Sequence, residues 1–136
     1  MGQEIKEFTK AIGATRPQPG DKSYKLFKSV FRRSNYFRHD KGFMIIKISR
    51  SDKPFWGVGK KYIDFLNELE INYFLVLLDS NKSGYVFDKT EINRMIKRKE
   101  WRLASDDNYK INSPLPNRYL FRNTEQFLSQ IGATEV

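Results

Sequence analysis

The sequence predicts a mixed α/β (α+β) fold, with a central mixed sheet of about five strands flanked by helices in a single compact domain. Three observations lead there. Apolar residues recur at helical spacing in some segments and form short β-branched and aromatic blocks in others, and the two kinds of segment alternate along the chain. A length of 136 residues with 39 % hydrophobic content suits one domain with its own core. Cysteine is absent and His39 is the single histidine, so neither disulfides nor a thiolate or histidine-cluster metal site builds the frame. The domain is read as 1–136, with 1–20 an N-terminal helix and Pro/Gly loop and 21–136 the sheet-and-helix core.

Residues 3–12, QEIKEFTKAI, place Ile5, Phe8 and Ile12 at helical spacing and stop at Gly13, a helix C-terminal signal. ATRPQPGD is a loop by its prolines and glycine. From 22 to 33 a second amphipathic helix sets Leu26, Phe27, Val30 and Phe31 against Lys22, Lys25, Ser29 and Arg32. SNYFRHDKGFMIIKISR reads as a hairpin turning at HDKG into a β-prone strand. SDKPFWGVG reads as a loop. The helix after it starts between Val58 and Lys60 and faces inward through Tyr62, Ile63, Leu66 and Leu69. INYFLVLLDS is a buried strand that NKSG turns into GYVFD. TEINRMIKRKEW is a helix with Thr90 as N-cap and Ile92, Met95 and Ile96 inside. A strand around 109–111, a PLPN turn, a short RYLF strand and a helix capped by Asn123 or Thr124 close the chain.

The frame F-x-x-x-I-G-A-T occurs at 8–15 and again at 127–134. Two copies do not make a repeat architecture. They read as helix C-terminal signals, with equivalent placement in the fold, or across a homodimer, as the alternative. DSNKSG at 79–84 imitates the start of a calcium loop, but Thr90 stands where the bidentate acid belongs, so it reads as a hairpin turn.

Net charge is +9, a balance that favours polyanions. Between 22 and 50 nine cations face only Asp40. A helix with cations at 22, 25, 28 and 32 and no acid gains no ion pairs and repels itself, a cost that phosphates relieve. Lys25, Lys28, Arg32, Arg33 and Arg38 are therefore read as backbone-phosphate contacts. Between 89 and 102 six cations face Glu91 and Glu100, and Arg94, Lys97 and Arg98 among them are read as a further contact. A solvated helix face, an acidic protein partner or an acidic membrane surface are the competing explanations of such runs.

KPFWGVGKK, residues 53–61, combines aromatics, glycines and lysines. Its G-x-G-K is neither a Walker loop nor the dinucleotide fingerprint, which need other spacings. A helix start presents amide N–H groups at the positive end of its dipole, so Gly57, Gly59, Lys60 and Lys61 are expected to hold one phosphate. Trp56 either stacks on a base, worth about 1–3 kcal/mol in single-strand binders, or covers the sheet edge; Phe55 is read as the covering aromatic.

The order helix, hairpin, FMIIKIS strand, helix and YFLVLL strand, over residues 22–98, resembles the restriction-endonuclease-like PD-(D/E)xK fold. In that family two carboxylates hold a metal and a lysine orients water. The resemblance implies magnesium-dependent DNA cleavage, with Lys47 of I-I-K in the lysine place and Asp40 as the first acid. Ile45 occupies the place of the second acid, which Glu4, Glu7 or Asp64 would supply from a helix. Read without the family, Lys47 is an outward residue of an alternating strand.

The leading expectation is a cytoplasmic nucleic-acid-binding protein, with DNA favoured over RNA. A metal-dependent nuclease, complete or degenerate, and an interaction module for an acidic protein are the alternatives. No cofactor is expected beyond the Mg2+ of the nuclease alternative. No membrane partner is expected either, since the longest apolar run, YFLVLL, is far short of a span.

Overall fold

The computed structural model of the chain describes residues 2–32 and 35–132. Its elements are α1 (Gln3–Ile12), α2 (Tyr24–Phe31), β1 (Tyr36–His39), β2 (Gly42–Ile48), β3 (Phe55–Gly59), α3 (Lys60–Glu68), β4 (Tyr73–Leu78), β5 (Gly84–Asp88), α4 (Lys89–Lys97), β6 (Arg102–Leu103), β7 (Asn108–Asn112), β8 (Leu120–Phe121) and α5 (Thr124–Gln130). The architecture is mixed α/β around a five-stranded sheet in the order β1-β2-β4-β5-β8, as the sequence predicts. β2 and β4 run parallel, and the other neighbours are antiparallel. A second sheet, β3-β7-β6, is an addition to that expectation.

All six residues of β4 are buried, which is why YFLVLL lacks the alternation of a half-exposed strand. On one face of the main sheet Met44, Ile46, Phe74, Val76 and Phe121 pack with Ile5 and Phe8 of α1 and Phe127 of α5. On the other, Phe43, Ile45, Leu75, Leu77 and Phe87 pack with Phe31 of α2, Ile63 and Leu66 of α3, Ile92 and Met95 of α4, and the inner residues of the small sheet. Both faces are covered, so the sheet divides two apolar cores.

The repeated terminal frame marks two helices that share the first of these cores. Phe8 and Phe127 meet edge to face with ring centroids 4.9 Å apart. Gly13 and Gly132 stand just past the two helices at φ 76° and 78°, a left-handed turn that glycine accepts without strain. Ala133 and Thr134 of the second copy lie outside the described residues.

Four expectations are corrected. The stretch 51–59 is not all loop: 55–59 forms β3, paired with β7 from Phe55↔Asn112 to Gly59↔Asn108. The N-cap of α4 is Asp88, not Thr90; its carboxylate accepts the Glu91 amide at 2.8 Å. α2 begins at Tyr24, and Leu26 is 44 % exposed rather than inward, because Phe27, Val30 and Phe31 fill the contact with the sheet. Of RYLF only Leu120–Phe121 is strand; Arg118 and Tyr119 belong to a short 3-10 turn. Asn123 does cap α5, accepting the Gln126 amide at 2.9 Å.

Three helices lie side by side over one face. Phe27 and Phe31 of α2 meet Phe65 and Tyr62 of α3 at 5.4 and 4.9 Å between ring centroids. The Asn67 amide of α3 donates to Asn93 of α4 at 2.9 Å. α3 thus separates α2 from α4. Among the described residues no helix is long and apolar enough to cross a membrane.

Candidate nucleic-acid interface

Anchoring by Phe27 and Phe31 fixes the roll of α2. At 100° per residue, Lys25 and Ser29 then fall on the face opposite the anchors, with Lys28 at the flank; Lys22 lies in the turn before the helix and Arg32 is its C-cap, at φ 51°. Lys22, Lys25, Lys28 and Arg32 are exposed, and among the described residues none of them forms an ion pair. Lys28 lies over the Tyr24 ring, 5.8 Å from its centroid. Arg33 lies outside the described residues. Arg38, on the edge strand β1, is tied to Asp21 at 3.0 Å, so its charge is largely balanced.

The second expected contact does not assemble. Trp56 is 3 % exposed, donates from Nε1 to the Leu78 carbonyl at 3.0 Å and meets Tyr85 edge-on, so its ring is closed to a base. Phe55, read as the covering aromatic, is instead 60 % exposed. The first amide of α3, that of Lys60, donates to the Asp107 carbonyl at 2.9 Å, and the Lys60 ammonium is paired with Asp64. Asp64, Asp106 and Asp107 line the cleft at this helix end, which repels a phosphate. Gly59 serves packing instead, since a Cβ there would stand 2.9 Å from the Tyr62 ring. Lys61 alone keeps an exposed, unpaired charge, with its Nζ 5.1 Å from the Tyr62 ring centroid. It shares a cleft with Arg32, though Asp64 and Glu68 line the same cleft.

The third group is split as well. Arg94 is bound to Glu91, which also accepts the Tyr119 hydroxyl and lies 3.5 Å from Arg118. The Tyr119 hydrogen bond, with the Arg94 and Arg118 charges adding to it, holds the Glu91 carboxyl below the usual range. Lys97 and Arg98 are exposed at the end of α4. With α3 intervening, and helix axes about 8–10 Å apart, α4 lies about 16–20 Å from α2.

Lys47 and Asp40 are not brought together. Asp40 sits in the turn between β1 and β2, whereas Lys47 is five residues beyond Gly42 along β2, about 16 Å away at 3.3 Å per residue. Lys47 shares the inner face with Ile45 and Leu77 and is half-buried, not outward. Burial pushes its ammonium pKa down, opposed by the Tyr62 hydroxyl, and no carboxylate contributes. Ile45 is core at 1 % exposure. The three stand-in acids are occupied elsewhere: Glu4 by Arg50, Glu7 by the Asn81 amide, Asp64 by Lys60. Among the described residues no group of three or more histidine or acidic side chains converges as a metal site.

Lys22 and Lys41 count among the cations of 22–50 but are not among the phosphate contacts read from sequence. The structure gathers them with Arg38 around one cleft beside the start of α2. The Thr15–Arg38 bridge and the Arg38–Asp21 ion pair hold the loop before α2 against β1, contacts between distant segments that leave no local signal in the sequence. No family model, no curated protein and no solved structure matches the chain.

Proposed function

We propose that this is a cytoplasmic nucleic-acid-binding protein, with DNA ahead of RNA, whose contact surface is the outer face of α2. Lys25, Lys28 and Arg32 meet backbone phosphates, Arg33 continues the run in sequence, and Arg38 and Lys61 stand at its flanks. One observation supports this above the others. α1, α3 and α4 each carry acidic residues alongside their cations, while α2 carries the exposed Lys25 and Lys28 with no acid on the helix. Uncompensated charge of one sign on one helix face is an electrostatic footprint for a polyanion. Trp56, Lys60 and Arg94 drop out of the contact set because they are buried or paired.

Phosphate contacts position a protein without reading sequence, so affinity should be similar for unrelated sequences. Fluorescence titration of the protein against labelled duplexes of unrelated sequence, and against RNA of the same length, tests the reading. Binding that is absent at low ionic strength for both polymers would overturn it and leave an acidic protein as the partner to seek. The nuclease alternative is not advanced, because Asp40 lies in the turn before β2 and Lys47 near the far end of that strand.

A further inference from the structure

A cleft of about 530 Å3 between the start of α2, the β1–β2 turn and the loop before β4 combines charge with aromatic surface. Its lining divides by chemistry. Tyr24, Phe27, Phe43 and Ile71 supply apolar surface, and Lys22, Arg38 and Lys41 supply cations. Tyr24, Phe27 and Ile71 are only partly buried, so apolar area remains uncovered within the cleft. Phe27 is held rigidly, stacked on Phe43 with centroids 4.8 Å apart.

The charges can be counted down to a ligand. Asp21 is consumed twice, by Arg38 at 3.0 Å and by the Gln18 amide at 2.6 Å. Two lysines then face Asp40 alone, which leaves one net positive charge on the cleft. His39 adds none in the arrangement seen: its Nδ1 accepts the Lys41 amide at 3.1 Å, which puts the proton on Nε2, and Nε2 donates to the Ile12 carbonyl at 3.0 Å. A single positive charge beside an aromatic floor matches a phosphodiester and one base. It does not match a nucleoside triphosphate, which brings several negative charges, and the volume lies within the ~300–1,000 Å3 of small-ligand sites.

We propose that this cleft holds one unstacked nucleotide of a single strand, its base against Tyr24 and Phe27 and its phosphate between Lys22 and Lys41. The proposal rests on the nucleic-acid reading above, and Lys22, in the turn just before α2 and in the cleft lining, stands between the two surfaces. A strand tracking α2 would reach the cleft without leaving positive potential.

The test uses the full chain, a short single-stranded oligodeoxynucleotide, the matching intact duplex and a free deoxynucleoside monophosphate. Tyr24→Ala should weaken single-strand binding by about 5- to 160-fold, the range expected for loss of one stacked base, while duplex binding stays within about twofold. Tyr24→Phe should retain single-strand binding, which guards against a folding defect in the alanine variant. Amide NMR shifts on adding the oligodeoxynucleotide should centre on Tyr24, Lys41 and Asn72. Equal loss for strand and duplex, no loss for either, or shifts confined to the outer face of α2 would overturn the proposal while leaving the surface reading intact. A monophosphate that binds as tightly as the strand would overturn the strand as the source of the nucleotide. Failure of the unaltered protein to bind any of the polymers would remove the surface reading itself.

Discussion

The indole Nε1 of Trp56 donates a 3.0 Å hydrogen bond to the carbonyl of Leu78, the last residue of the central strand. That bond fixes the small sheet on the large one and decides what KPFWGVGKK is for. Trp56 and Val58 point into the core, while Phe55 remains in solvent. Trp56→Ala should therefore cost about 3–5 kcal/mol of stability by chemical denaturation. Phe55→Ala should change it by less than about 0.5 kcal/mol. Trp56→Phe should lose about 1 kcal/mol, the hydrogen bond with most of the packing kept.

Lys47 is a cation held against a core, and removing its charge should help the fold. Lys47→Met keeps the stem and should raise stability by about 1 kcal/mol near neutral pH. The sign of the pH dependence follows from its lowered pKa. Below the folded pKa both states are protonated and the burial penalty is complete. As pH rises from there toward the ordinary value of 10.5, the folded state sheds its proton first and stability increases. Melting curves of the unaltered protein should show that alkaline gain, and those of the methionine variant should lack it.

Arg50 grips Glu4 with two nitrogens, Nε at 2.7 Å and Nη2 at 2.6 Å, and so ties α1 to the residue group just after β2. The arginine hydrogen bonds bring the Glu4 carboxyl from 4.5 down to about 2. Its contribution is present above 4.5 and fades as pH falls toward about 2. The difference in Tm between the protein and Arg50→Ala should accordingly shrink over that interval. It should shrink also with added salt, since the pair is exposed.

A half-buried polar chain joins three elements. The Tyr73 hydroxyl donates to Asn67 Oδ1 at 2.8 Å, and the Asn67 and Asn93 amides exchange hydrogen bonds at 2.9 and 3.2 Å. Burial, partly offset by the two asparagines, raises the Tyr73 pKa to about 12. Tyr73→Phe should cost about 1 kcal/mol, because Asn67 Oδ1 keeps its Asn93 donor. Asn67→Leu should cost about 2 kcal/mol or more, since it leaves the tyrosine and Asn93 without that partner.

Local periodicity made the helices and the main sheet readable, and it made the α2 stripe readable too, because Phe27 and Phe31 four residues apart define the buried side. β3 was hidden. Trp56 and Val58 do alternate with Phe55 and Gly57, yet the run is short, glycine-rich and follows Pro54, and its partner β7 lies about fifty residues on. Pairing of charges was hidden for the same reason of distance. Glu4 and Arg50 are 46 apart in sequence, and nothing near Arg50 announces that its charge is spent. The cleft beside α2 draws Thr15, Lys22, Arg38 and Asn72 from four segments, so no single stretch carries its signature. Cations were legible as residues, but which of them remain uncompensated is a property of the folded surface.

The salt dependence of duplex binding tests the central claim most directly. The double variant Lys25→Ala/Arg32→Ala removes two unpaired charges from α2 and its C-cap, whereas Lys97→Ala/Arg98→Ala removes two from the end of α4 and its C-cap. With a slope of about 0.9 per phosphate contact, the α2 variant should reduce the magnitude of the slope of log K against log salt by about two, and the α4 variant should leave it nearly unchanged. An α2 variant with the same slope as the unaltered protein would contradict the account.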